Sequence, residues 1–509
     1  MKASLLDRLP LEKIARFLWG AALFSLPVSS FRYYPLGDGT LVRPLALYPI
    51  ALLMLVSLLL FLRGKSSIPR AGVLVPLTAF VLFTLTASSI GAWLDPLPMR
   101  GQEYFGRVIR AWATVAIGLS FFVSALWMNR TEDDLRFSVR WILAGFAMDV
   151  LWSGVQMLAL YTPFLEKETV SFWQLAFSTR ELTTLDRVSG MAYEPAWLAG
   201  QIATVYLPWL FAALLTRVHV TRFRWLEWVL FGSSGLLLLT SLSRGGLLTS
   251  VLALVLTFLL TGRPELRAGW TWFISGFKDR GLFLRAAILV VVLGAFIGAG
   301  LFLSRQQYVA RLFNSDAKNL EEFIVDNYAG ARGAYTFSAL ETFAESPLSG
   351  VGLGASGFYL YDHMPDWAMT TVPEIARQLS PQSHLYPNPK NMYARLLAET
   401  GLIGFALFMI YLLSVLGDAL HALQGNTTLS RYLGIAALFS WIAILIYNAT
   451  QDSFATPNIW INFGILAGLS AGVMDGESPL TPASTTPSGS AHYSPDDPRE
   501  REGQGQEAS

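Results

Sequence analysis

The chain lacks cysteine and is poor in charged residues. None of its 509 residues is cysteine, which excludes disulfide bonds, thiolate nucleophiles, cysteine-based zinc sites and iron–sulfur clusters. Only 14% of the residues are charged, against about 25% in soluble globular proteins. The 37 Lys and Arg residues nearly balance the 36 Asp and Glu residues. Nucleic acid is therefore not an expected partner, because no basic field would attract it.

Long apolar runs take the place of charge. The chain is 53% hydrophobic with a mean hydropathy of +0.45, so its polar surface is too small for a water-soluble protein of this size. A membrane-spanning helix needs roughly 20 mostly apolar residues. About twelve such runs are present, at residues 14–31, 43–62, 72–94, 108–128, 141–163, 196–216, 225–242, 245–262, 285–304, 396–417, 432–450 and 455–474. The sequence predicts an all-α polytopic membrane protein with about 12 transmembrane helices.

The basic residues of the short loops predict the orientation. They cluster in alternate loops, at Arg63–Arg70, Arg130–Arg140, Arg217–Arg224 and Arg263–Arg280, which places these loops and both termini in the cytoplasm. We expect nine transmembrane helices in residues 1–304, a large outside loop with short helices in 305–395, and the last three helices in 396–475. Residues 476–509 are polar and are predicted to form a disordered cytoplasmic tail.

Three arginines on the outside stand in distinctive contexts. Arg187 precedes Ser-Gly and the Glu194-Pro195 pair, in which Pro195 is predicted to begin the next span as a first-turn proline. Arg244 lies in a tight Ser-Arg-Gly-Gly turn, and Arg332 begins a predicted amphipathic helix that ends before Pro347. Each could be an arginine at the lipid headgroups. Gathered on one face, they would bind a pyrophosphate, because the planar guanidinium grips phosphate oxygens with two hydrogen bonds.

Two further motifs follow Arg332. The glycine-rich stretch 347–354 resembles a phosphate-binding loop but lacks the Lys-Ser/Thr of a P-loop, so we predict a structural turn. Asn391 is predicted to cap the next helix, whose amino terminus would favour an anion.

Together these blocks resemble the O-antigen ligase and polysaccharide polymerase superfamily. The blocks are Arg-x-Ser-Gly with Glu-Pro, Ser-Arg-Gly, Arg followed by Pro-Leu-Ser-Gly-Val-Gly-Leu-Gly, and Asn-Met-Tyr-x-x-Leu-Leu-Ala-Glu-Thr-Gly-Leu-Ile-Gly. They occur in the order typical of the superfamily. The resemblance covers about residues 185–410.

The resemblance implies a glycosyltransferase of the membrane C class, independent of metal and without a cofactor. It implies a multi-pass protein of the bacterial cytoplasmic (inner) membrane whose large loop is periplasmic. The donor would be a glycan linked to undecaprenyl pyrophosphate, transferred with inversion at the sugar carbon. Arg244 and Arg332 match the two pyrophosphate-binding arginines of the superfamily, and Arg187 is a third candidate. Membrane lipid is an implied partner, and a chain-length regulator is a candidate partner.

The chain departs from the superfamily at the expected general base. Members often have His-Asn where this chain has Lys390-Asn391. A lysine is protonated at neutral pH, so Lys390 is expected to bind phosphate beside the arginines. The base is then His384 or Glu194, although His384 could be a surface residue and Glu194 could simply pair with Arg187.

Several functions stay open at this point. Glu194-Pro195, where ligases more often have a Pro-Asn type pair, favours a polymerase that joins repeat units of an exopolysaccharide or O-antigen. A ligase that transfers glycan to a lipid core or a protein is the alternative. A transporter or flippase of lipid-linked glycan is the non-enzyme alternative, and Asp149 in the fifth span is either its proton-coupling group or a satisfied partner of a nearby Trp or Ser.

Overall fold

The computed structural model describes residues 10–33, 41–67, 69–275, 282–304, 322, 330–383 and 385–474. The predicted tail, His384 and much of the first part of the outside loop lie outside these residues. Within them the regular secondary structure is helical and contains no strand. The all-α prediction is confirmed.

The helices follow one another along the chain. We number them α1 (Leu11–Phe24), α2 (Leu47–Leu62), α3 (Leu74–Gly91), α4 (Tyr104–Met128), α5 (Glu132–Tyr161), α6 (Lys167–Gln174), α7 (Pro195–Thr216), α8 (Arg224–Ser241), α9 (Arg244–Thr261), α10 (Arg263–Ser275), α11 (Leu282–Ser304), α12 (Gly330–Glu345), α13 (Asp366–Thr371), α14 (Pro373–Leu379), α15 (Met392–Gln424), α16 (Thr428–Tyr447) and α17 (Ile461–Met474).

Seven of the described helices are long and apolar enough to cross a membrane, namely α3, α4, α5, α7, α9, α15 and α16. The apolar helix α2 is shorter. Large apolar side chains such as Leu55 and Leu85 are exposed on these helices, as expected of surfaces that face lipid. The chain is therefore a polytopic membrane protein. A helix is present at each of the predicted runs, while the number of twelve spans stays a prediction.

The helix α15 is broken at Gly401, whose φ of 61° and ψ of −168° are not helical. The glycine-rich segment 347–354 fills the break. Val351 N–H donates to the Ala398 carbonyl at 2.9 Å, and Leu402 N–H donates to the Pro347 carbonyl at 2.8 Å. Backbone groups freed by the break are thus bonded to this segment, as burial requires. The first part of α15, which follows Lys390, is thereby fixed in place.

The glycines of this segment are structural, as predicted. Gly350, Gly352 and Gly354 have φ values of 67°, 99° and 82°, which few other residues adopt. A Cβ atom on Gly350 would lie 2.4 Å from the carbonyl carbon of Glu399. A backbone atom cannot yield as a flexible side chain would, so only glycine fits there.

We predict that Gly350→Ala destabilises the protein by about 3 kcal/mol or more, because left-handed strain adds to a clash with backbone. The matched control is Gly64→Ala. Gly64 has a φ of 66°, and a Cβ atom added to it would meet no described atom within 4 Å, so only the strain of about 1–2 kcal/mol applies. Thermal unfolding of both variants in detergent checks this, and equal losses would show that the close contact is unimportant.

Candidate functional site

A cavity of about 420 Å³ lies where the ends of several elements meet. Its walls come from the start of α7, from α12 and α14, from the segment before α15, and from the connection after α16. Three of the predicted site residues line it, namely Glu194, Arg332 and Lys390.

Arg332 lies in the first turn of α12 and is exposed. The neighbouring residues Ala331, Ala334 and Tyr335 of that helix are buried. The apolar residues Phe337 and Leu340 point outward, because they are 48% and 43% exposed. Among the described residues Arg332 has no hydrogen bond or ion pair. Its guanidinium is therefore available to an anion in the cavity.

Lys390 is held by contacts at both of its ends. Its φ of 56° is left-handed, and its backbone N–H donates to Oδ2 of Asp452 at 3.0 Å. Its Nζ donates to Oε1 of Glu374 at 2.7 Å and lies 5.1 Å from the ring centre of Tyr335. The ammonium is thus directed into the cavity wall beside α12 and α14.

Glu374 on α14 is the counter-ion of this wall. Burial raises the pKa of its carboxyl, but the hydrogen bond and charge of Lys390 lower it, as do the hydrogen bond from Gln378 and the charge of Arg332. The net pKa lies below the ordinary value. Glu374 is therefore ionised at neutral pH and neutralises one of the two cations.

Glu194 lies at the N-cap position of α7, where Pro195 is the first helical residue as predicted. Its Oε1 accepts a hydrogen bond of 2.7 Å from Nη1 of Arg180. The alternative pairing of Glu194 with Arg187 is therefore wrong. Among the described residues the second oxygen, Oε2, accepts no hydrogen bond. That oxygen is available to a substrate.

Tyr447 connects the two groups of charges. It is the last residue of α16, and it packs so closely on α7 that a Cβ atom on Gly200 would lie 2.4 Å from its ring. Both Arg332 and Glu194 lie close enough to Tyr447 to interact with its hydroxyl by charge. Because Lys390 and Tyr447 line the same cavity as Arg332 and Glu194, the two cations and the carboxylate belong to one site.

Arg187 is not among the residues that line the cavity. Its segment is held against α5, because Oδ1 of Asp149 accepts the Met191 N–H at 2.7 Å and Oε1 of Gln156 accepts the Gly190 N–H at 2.8 Å. Arg187 itself is near enough to Tyr161 to interact with it by charge. Asp149 therefore binds the backbone of the motif, and among the described residues it does not bond the nearby Trp or Ser named as one of its two possible roles.

Arg244 also lies outside the lining, but its helix end borders the cavity. Arg244 is the first residue of α9, which Ser243 caps. A Cβ atom on Gly246 would lie 2.2 Å from Cβ of Ala199 on α7, and one on Gly245 would lie 3.9 Å from Cγ2 of Thr450, a lining residue. The first turn of α9 is thus packed behind the cavity wall.

His384 lies outside the described residues, and the segment that follows it, 385–388, lines the cavity. Asn391 caps α15 as predicted, because its side chain accepts hydrogen bonds from the N–H groups of Tyr393 and Ala394.

Sequence reasoning missed Glu374, Asp452 and Arg100. The first two are acidic residues in segments predicted to lie outside, and that position is a signal that could have drawn attention to them. Arg100, in the loop before α4, donates to the carbonyls of Gln378 at 2.7 Å and Ser380 at 3.1 Å. It thereby fixes the end of α14, the helix that carries Glu374. Within the described ranges, no cluster of three or more His, Asp or Glu residues could hold a metal ion.

Comparison with known proteins agrees with the resemblance. Residues 229–409 match the family model described as O-antigen ligase. No curated protein matches the chain. The matched segment runs from α8 into α15 and includes Arg244, Arg332 and Lys390, while Arg187 and Glu194 precede it. The match supports the similarity of this multi-pass membrane protein to the O-antigen ligase and polymerase superfamily, a group of glycosyltransferase-like enzymes.

Proposed function

We propose that the protein is a polysaccharide polymerase. It joins repeat units linked to undecaprenyl pyrophosphate on the outer face of the cytoplasmic membrane, by metal-independent transfer with inversion. The observation that carries the proposal is the cavity in which an available guanidinium, Arg332, and the ammonium of Lys390 share a site with the carboxylate of Glu194. Cations in one part of the cavity can stabilise an anionic leaving group, and a carboxylate in another part can accept the proton of a hydroxyl nucleophile.

On this proposal Arg332 and Lys390 bind the pyrophosphate of the donor. Breaking the bond between the sugar carbon and the phosphate oxygen builds negative charge on the leaving group, which fixed cations stabilise. Arg244, in the first turn of α9 behind the wall, and Arg187, in the segment held against α5, lie outside the lining and are further candidate ligands of the pyrophosphate.

Glu194 is the proposed general base. Arg180 holds Oε1, which leaves Oε2 to accept the proton of the acceptor hydroxyl as its oxygen bonds to the sugar carbon. The proton then resides on Glu194 and the pyrophosphate leaves with the lipid. His384 is the alternative base.

A ligase is the second candidate, because the matching family model is described as O-antigen ligase. The polymerase is favoured by the Glu194-Pro195 pair. Both reactions use the same donor and differ only in the acceptor, so the pyrophosphate site would serve either.

The function is tested with purified protein in detergent. We expect lipid-linked repeat units alone to give a ladder of longer glycans, also with a chelator present. Product that forms only when a lipid core is added would identify a ligase. A folded protein that gives no product with either acceptor, but moves lipid-linked glycan across vesicles, would favour a transporter or flippase.

We predict that Arg332→Ala reduces transfer by about 100-fold or more, because the leaving group loses a preorganised cation. Arg332→Lys should fail as well, since an ammonium does not reproduce the two-pronged contact. The control is Arg377→Ala, an exposed arginine on α14 outside the cavity lining. Initial rates and expression levels are measured together. A normal transfer rate for Arg332→Ala would show that the pyrophosphate does not bind in this cavity.

We predict that Glu194→Gln lowers kcat by about 100-fold or more and leaves the donor KM nearly unchanged, because the amide cannot accept the proton. Arg180→Ala should have a smaller effect, since it only frees a carboxylate that is still present. If Glu194→Gln were fully active and His384→Asn inactive, the base would be His384.

A further inference from the structure

Two buried amides of the cavity lining have side-chain atoms without a hydrogen-bond partner among the described residues. Asn458 is 2% exposed and Gln201 is 5% exposed, and both line the cavity. Neither Nδ2 nor Oδ1 of Asn458 has a hydrogen bond to any described residue, and neither does Oε1 of Gln201. The Asn458 amide lies close to the Tyr447 hydroxyl. Unpartnered buried amides are costly, so they call for a ligand or ordered water.

Other buried amides in the bundle show what a structural role looks like. Gln156 bonds the backbone of Ser189 and Gly190 through both of its amide atoms. Asn462 accepts from Trp209 and donates to the Thr204 carbonyl. The orphan atoms of Asn458 and Gln201 depart from this pattern, and both residues line a cavity large enough for a ligand.

Gln201 belongs to a face of α7 that lines the site. Glu194, Trp197 and Gln201 follow at a spacing of i, i+3 and i+7, which places them on one side of a helix, and all three line the cavity. Nε2 of Gln201 donates to the Leu26 carbonyl at 3.1 Å, which fixes the side chain. The helix presents a carboxylate, then an indole ring, then an amide oxygen.

The helix is π-helical directly after Gln201, over Ile202–Tyr206. Such segments are rare and often occur at functional sites. Asn462 accommodates this one by donating to the Thr204 carbonyl at 2.8 Å. The irregular turn is thus built into the fold next to Gln201.

The chemistry of this part of the cavity differs from that of the cationic wall. Its amides, the Trp197 ring and the Tyr447 hydroxyl carry no charge, while Arg332 and Lys390 lie on other elements. Amides that donate and accept, beside an aromatic face, suit a neutral ligand with several hydroxyl groups.

We propose that Gln201, Asn458 and Trp197 form a subsite for a sugar ring of the acceptor glycan. The amides bond its hydroxyls, the indole ring contacts its apolar face, and the attacking hydroxyl is presented to Glu194. This subsite rests on the proposed function, and it is separate from the pyrophosphate site at Arg332 and Lys390.

The test uses two probes with the full-length protein in detergent. One is the neutral oligosaccharide of the host's own repeat unit, released from its lipid by mild acid, and the other is inorganic pyrophosphate. We expect Asn458→Leu to weaken binding of the oligosaccharide about tenfold, as the loss of one or two hydrogen bonds implies, and to leave pyrophosphate binding unchanged. Gln201→Leu should act in the same direction, and Arg332→Ala should show the opposite pattern.

Stability separates this role from a structural one. Asn458→Leu loses no hydrogen bond of the fold, so its melting temperature should equal or exceed that of the wild type. Asn462→Leu, the matched control, removes a bonded amide outside the cavity and should melt lower, with no selective effect on either probe.

Several outcomes would overturn the proposal. If Asn458→Leu binds the oligosaccharide with the affinity of the wild type, the amides bind water only. The proposal also fails if the variant loses affinity for both probes equally, or if the wild type does not bind the oligosaccharide. If the selective loss is observed but the wild type extends no glycan, the proposed polymerase fails while the sugar subsite stands.

Discussion

The exchange of backbone hydrogen bonds between the broken helix α15 and the glycine-rich segment is the constraint on which the site depends. Each partner supplies donors and acceptors that the other needs, and in a poorly hydrated interior neither can leave them unbonded. The first part of α15 is further held by the buried pair of Arg395 and Glu399, 2.9 Å apart. Ser356 donates to the second oxygen of Glu399 at 2.8 Å. The glycine-rich segment, the loop after it and α15 therefore form one unit.

This unit determines where Lys390 lies. The Met392 N–H donates to the Asn448 carbonyl at 2.8 Å, and Arg395 donates to the Asp452 carbonyl, so the start of α15 is tied to the connection after α16. Asp452 then binds the Lys390 N–H from the same connection. A lysine in a left-handed conformation is thus held by surrounding structure, which is how strained residues persist at functional sites.

The sequence was sufficient for features that depend on local chemistry. Run length and hydropathy located the helices, and capping rules located the starts at Pro195 and Asn391. The break at Gly401 could not be foreseen, because one glycine inside an apolar run is compatible with an unbroken helix. The hydrogen-bond partner of Glu194 could not be predicted from the sequence either. Arg187 is nearer in sequence, but Asp149 and Gln156 hold its segment on α5 and leave Arg180 to pair.

The same limit applies within the cavity. Arg332 and Lys390 were identified by their type and context, whereas Glu374 and Asn458 matter only because distant segments bring them there. No local pattern marks a glutamate on a short helix as the counter-ion of a lysine 16 residues away. Pairwise contacts between distant segments follow from the packing of whole elements, which composition and periodicity do not specify.

The charges of the cavity have a consequence for the order of events. Glu374 pairs with Lys390, so among the described lining residues Arg332 is the cation without an ion pair. On the proposed function, a pyrophosphate oxygen and the Glu374 carboxylate would share or compete for the three N–H donors of Lys390. Donor binding would then weaken the pair of Lys390 and Glu374, and the pair would reform as the lipid pyrophosphate leaves. Glu374 would in this way limit the affinity for the product while keeping the lysine in position for the next donor.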